Sequence, residues 1–89
     1  MTVRVNLHQL WAQAGYRGTV EVVGSTVGEC LERLVKEYPD LRPEIVDDDG
    51  QLLANIRIFV NGQSAFPQEF SRPVKAGDVI DLAPMMAGG

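Results

Sequence analysis

The chain has 89 residues, with 8 Lys and Arg against 12 Asp and Glu, so its net charge is 8 − 12 = −4 with His neutral. That length holds one domain, and 45% apolar residues supply one core, which excludes a disordered chain. The acidic balance leaves no electrostatic footprint for nucleic acid or anionic lipid, and a single Cys excludes an internal disulfide and the Cys₄ and Cys₂His₂ zinc sites.

No apolar run approaches the length of a membrane span, and Met1–Val5 lacks a signal-peptide core. The expectation is a cytoplasmic single domain. Val3, Val5 and Leu7 alternate with Arg4, Asn6 and His8, the period of a half-buried strand. Turn residues around Gln13–Gly18 follow. Thr19–Val23 is β-branched and alternating, a second strand that pairs with the first as an antiparallel hairpin. Thr26 and Glu29 fit a capping box, with Thr26 as N-cap. Val27, Cys30, Leu31, Leu34, Val35 and Tyr38 then recur at helical spacing as one apolar stripe. Glu29–Arg33 and Glu32–Lys36 are favourable i,i+4 pairs on the other face. Pro39 ends the helix, and Leu41, Ile45 and Val46 form a short irregular or 3₁₀ turn that closes the core.

Asp47–Gly50 is a turn. Aligned with a calcium loop through Gly50, it puts Ile45 and Ile56 where oxygen ligands are required, so the match fails. Ile56, Ile58 and Val60 mark a third strand, closed by the tight-turn dipeptide Asn61-Gly62, with a short strand expected around Ser64–Phe66. Pro73–Asp78 is a turn, and Val79–Ala83 is the last strand. One amphipathic helix must bury its stripe against one sheet. The two terminal strands are apolar enough to be central and to pair side by side in parallel. The fold class is therefore α+β: a mixed four- to five-stranded sheet with one main helix across it.

No phosphate loop, dinucleotide fingerprint or catalytic triad is present. His8 is a lone strand histidine, Cys30 belongs to the apolar stripe, and Trp11 and Tyr16 suit packing over a sheet edge better than a binding surface. Met85 and Met86 are either an interaction patch or core-edge packing. The chain ends Gly88-Gly89. Two glycines let a terminal carboxylate pass through a narrow channel, and the stretch from Met85 spans up to about 17 Å.

Ile56–Gly62 and Lys75–Gly89, with the helix opening Thr26-Val27-Gly28-Glu29 and the run Tyr38-Pro39-Asp40-Leu41, resemble the MoaD/ThiS family of ubiquitin-like sulfur carriers. The resemblance implies a β-grasp domain over residues 1–84 and a flexible diglycine tail over 85–89. It implies no catalytic residue, no metal site and no bound cofactor in this chain. Gly89 would be adenylated by an E1-like enzyme using ATP and Mg²⁺, and a sulfur donor would convert it to a thiocarboxylate. The sulfur would pass to an accepting synthase, either the large subunit of molybdopterin synthase or a cysteine or homocysteine synthase. Pro84, Met85, Met86, Ala87 and Gly88 would form the stalk threaded into partners. Position 83 is aromatic in some members of the family and alanine here, and a second proline or a small residue often stands where Met85 does. The alternatives are a protein modifier joined to targets through Gly89, a thiamine-pathway carrier, and a plain β-grasp interaction module.

Overall fold

The computed structural model describes residues 2–7 and 18–84. Readings of His8, Trp11, Tyr16 and the stretch from Met85 to Gly89 fall outside the described residues. The elements are β1 (Val3–Leu7), β2 (Gly18–Val22), α1 (Val27–Glu37), a 3₁₀ turn (Pro39–Leu41), α2 (Arg42–Ile45), β3 (Ile56–Val60), β4 (Gln63–Ser64), a second 3₁₀ turn (Glu69–Ser71) and β5 (Val79–Pro84). The strands form one five-stranded sheet in the order β2-β1-β5-β3-β4. β1 and β5 run parallel, as the apolar terminal strands predict, and the other pairs are antiparallel.

Strand alternation decides the two faces of the sheet. Val3, Val5, Leu7, Ile56, Ile58, Val60, Ile80 and Leu82 are all buried, and so are Val27, Cys30, Leu31 and Leu34 of α1. Leu41 and Ile45, carried by the 3₁₀ turn and α2, close the core beside them. This is the expected β-grasp architecture, with the helix across one face and the opposite face open.

α1 starts where the sequence predicts, and the Glu29 N–H donates to Thr26 Oγ1 at 3.1 Å. The reciprocal half of the capping box is displaced by one residue. Glu29 Oε1 accepts from the Ser25 N–H and the Ser25 hydroxyl, both at 2.8 Å, rather than from Thr26. These bonds hold the Glu29 carboxyl below its ordinary range, and Arg33, the expected ion-pair partner, adds only a lesser attraction. The helix start is also stitched to a distant segment. The Val27 N–H, one of the donors a helix start leaves open, is taken by Arg72 O at 2.9 Å, and the Val74 N–H donates to Ser25 O at 3.0 Å. Gly28 lies against the second 3₁₀ turn so closely that a Cβ there would sit 2.9 Å from Phe70 O. The sequence predicts no element at 69–71, because a lone 3₁₀ turn carries no periodic signal.

Two further differences are small. β2 ends at Val22, leaving Val23 54% exposed, and β4 is Gln63–Ser64 rather than Ser64–Phe66. The second follows from the turn. Asn61 and Gly62 both have positive φ, +51° and +84°, which makes a two-residue hairpin and starts pairing at Gln63. Asp47–Gly50 is a turn closed by its own side chain, since Asp47 Oδ1 accepts from the N–H groups of Asp49 and Gln51 at 2.9 and 3.0 Å.

The entry to β5 is clamped. Asn61 Oδ1 accepts from the Val79 N–H at 2.9 Å, while its amide donates to Asp78 Oδ1 at 3.1 Å. Asp78 Oδ2 accepts from the Lys75 N–H at 2.9 Å. The Asn61 amide first, and then the Lys75 N–H, hold the Asp78 carboxyl below its ordinary range.

Two outcomes follow. Leu34 is fully buried, so Leu34→Ala is expected to cost about 2–5 kcal/mol, a large share of the roughly 5–10 kcal/mol that a domain of this size holds. Thermal melting checks this, and an unchanged midpoint would place Leu34 outside the core. Glu29 and Asp78 both have lowered carboxyl pKa values in the folded state. Their contribution is complete above the unfolded carboxylate range, about pH 4, and is lost as pH falls through the lower folded values. The wild type is expected to lose stability on acidification below about pH 4, and Asp78→Ala to lose less over that span. Denaturant melts across the acid range compare the two slopes.

Candidate functional site

Among the described residues, no cluster of His, Cys, Asp and Glu side chains is grouped to hold a metal ion. Cys30 is buried, and burial first, with the Glu29 charge second, pushes its thiol pKa up, which makes it a core residue and a poor nucleophile. The described residues stop at Pro84, the end of β5.

β5 is the middle strand of the sheet. It pairs with β1 from Arg4↔Val79 to Leu7↔Leu82, and with β3 from Val60↔Ile80 to Ile56↔Pro84. Ile80 and Leu82 are fully buried, each worth roughly 1.5–3 kcal/mol of anchoring. A strand hydrogen-bonded on both sides and buried on one face is a rigid base. Pro84 is its last residue, half-buried and opposite Ile56, and a proline has no N–H with which to extend a ladder. Of the expected stalk, Pro84 alone is described; Met85, Met86, Ala87, Gly88 and Gly89 lie outside the described residues.

The open face of the sheet surrounds this root. In the row nearest Pro84, Arg57 of β3 stands opposite Ala83 of β5. The next row runs Ser64, Phe59, Asp81, Asn6 and Thr19 across all five strands. Its polar half is internally bonded: Thr19 Oγ1 donates to Asn6 Oδ1, and Asn6 Nδ2 donates to Asp81 Oδ1, both at 2.8 Å. Thr19, Asn6 and Asp81 thus spend these groups on one another. Across β3 and β5 the face presents Phe59, Arg57 and Ala83.

Beside this row lies a groove whose walls include Leu53, Ile56, Arg57, Phe66 and Pro67. Phe66 is 69% exposed. No helix among the described residues is long and apolar enough to cross a membrane.

Comparison with known proteins agrees with this architecture. Residues 7–89 match the ThiS family. Small archaeal modifier protein 1 of Haloferax volcanii is 37% identical over 71 residues, which are 79% of this chain and 78% of that protein. Its crystal structure superposes with a TM-score of 0.83 at 31% identity, covering 100% of both chains. A chain of the BexX/CysO complex from Amycolatopsis orientalis superposes with a TM-score of 0.83 at 26% identity, covering 98% of this chain and 99% of that one. With 83 of 89 residues inside the family match, the chain belongs to the ThiS family and so to the ubiquitin-like sulfur carriers and small modifiers.

Proposed function

We propose that this chain is a sulfur carrier that works through the carboxylate of Gly89. The observation that carries the reading is the family match continuing through Gly88 and Gly89, beyond a central strand that ends at Pro84. A carboxylate is a poor acyl donor, because its leaving group would be oxide. An E1-like partner using ATP and Mg²⁺ joins the carboxylate oxygen to the α-phosphate and releases pyrophosphate. The resulting acyl-adenylate has AMP as its leaving group. A sulfur donor displaces AMP and leaves a thiocarboxylate on Gly89. A synthase for molybdopterin, or for cysteine or homocysteine, then takes that sulfur. The chain is a co-substrate, and the acid and base groups belong to its partners.

The chain's own contribution is positional. The doubly paired β5 holds Pro84 in place, and the stretch from Met85 to Gly89 reaches up to about 17 Å beyond it. Met85, Met86, Ala87 and Gly88 line the path into the partner, and Gly88 with Gly89 keeps that path narrow.

A second reading has a specific observation behind it: the relative that is 37% identical is a small archaeal modifier protein. In that reading an amine of a target protein, rather than a sulfur donor, displaces the AMP and forms an isopeptide with Gly89. Both readings share the activation step.

Gly88→Val adds a β-branched side chain inside the narrow path. It is expected to melt like the wild type and to lose ATP-dependent activation; normal adenylation of a folded Gly88→Val protein would refute threading. Intact mass of the protein from its native cells separates the two readings. Sulfur in place of one oxygen at Gly89 identifies a carrier, whereas branched conjugates with an unmodified free pool identify a modifier.

A further inference from the structure

Asn61-Gly62 is the one Asn-Gly pair in the chain; the other asparagines, Asn6 and Asn55, precede Leu7 and Ile56. The pairing matters chemically. The main-chain nitrogen that follows an asparagine is a nucleophile within reach of the side-chain carbonyl carbon, and a glycine there has no side chain to hinder the approach. Asn61 and Gly62 are both exposed, and a Cβ built on Gly62 would meet nothing within 4 Å, so solvent reaches the pair.

The fold restrains what the dipeptide invites. Asn61 Oδ1 accepts from the Val79 N–H at 2.9 Å, and the Asn61 amide donates to Asp78 Oδ1 at 3.1 Å. The Asn61 N–H donates to Val79 O at 2.8 Å, and Asp78 is fixed in turn by the Lys75 N–H at 2.9 Å. Attack on the carbonyl carbon turns it from planar to tetrahedral and expels Nδ2. Both side-chain bonds must break for that to happen, so the clamp at the entry of β5 is also a brake on the reaction.

We propose that Asn61 is a site of spontaneous deamidation, restrained in the folded chain by its clamp on Asp78 and Val79 and, once converted, loosening the entry of β5. The proposal is independent of the tail reading. The Gly62 nitrogen bonds to Asn61 Cγ, the Cγ–Nδ2 bond breaks, and Nδ2 leaves as ammonia with the proton that Gly62 gives up. Water then opens the succinimide. Attack at Cγ gives Asp at position 61, and attack at the main-chain carbonyl gives the isoaspartyl linkage. The sum consumes one water, releases one ammonia and changes no oxidation state. The Asp product has no amide to donate and sets a second carboxylate against that of Asp78. The isoaspartyl product adds a backbone carbon to the two-residue turn that brings Val60 opposite Gln63. Either product releases Asp78, and Val79, the first residue of β5, loses the side chain that fixes it.

The test is incubation of the full chain at neutral pH, native and in denaturant, with mass analysis of the tryptic peptide of residues 58–75, in which Asn61 is the one asparagine. Conversion of amide to acid at position 61 is expected in the folded wild type, about tenfold slower than in denaturant. Asp78→Ala removes one of the two restraining bonds and is expected to raise the folded rate at least about threefold. Ile45→Val thins the core in α2, outside the clamp, and is expected to leave the rate unchanged. Asn61→Asp is expected to melt at least about 4 °C below the wild type. Equal rates in the native and denatured chains, or no acid at position 61 in the folded Asp78→Ala chain, would overturn the proposal. Equal acceleration by Asp78→Ala and Ile45→Val would assign the reaction to global unfolding and overturn the restraint by the clamp. An unchanged midpoint for Asn61→Asp would overturn the loosening of β5.

Discussion

Everything positioned in this molecule depends on the parallel pairing of its first and last strands. β1 and β5 lie side by side although nearly the whole chain separates them, and closing so long a loop costs conformational entropy before any contact rewards it. The return is burial: Val5, Leu7, Ile80 and Leu82 all leave water on the core face. β3 closes the other side of β5 and makes it the central strand. In the proposed reading, Gly89 follows the doubly paired central strand, which gives its tail a fixed origin.

Around that strand the turns serve two purposes at once. Asn61 supplies a positive φ for the hairpin between β3 and β4, and its side chain also receives the Val79 N–H and donates to Asp78. One residue type solves both problems because asparagine tolerates the left-handed region and carries a donor and an acceptor. The start of α1 is similar. Its capping bonds, its contact with Arg72 and the close approach of Gly28 to Phe70 tie the helix to a segment more than forty residues later. The helix is thereby oriented across the sheet by its polar end as well as by its apolar stripe.

The open face divides into two halves. Thr19 of β2, Asn6 of β1 and Asp81 of β5 satisfy one another across one half. Over β5 and β3 the side chains are Ala83, Arg57 and Phe59.

The local elements were legible in the sequence because each has a period or a chemical signature. Alternation in Val3–Leu7 and Ile56–Val60, the stripe from Val27 to Leu34, Thr26 as N-cap and Asn61-Gly62 as a hairpin turn are statements about neighbours in sequence, and they hold in the structure. What the sequence could not decide were contacts between segments with no shared period. Glu29 turns to Ser25 rather than Thr26, and the helix start is tied to Arg72 and Val74. Patterning selects which face of each element is apolar, and hydrophobic burial then determines the fold class. Hydrogen-bond register and close packing are set only when elements meet, so tertiary structure alone decided where the helix is anchored and which side chains surround the root of the tail.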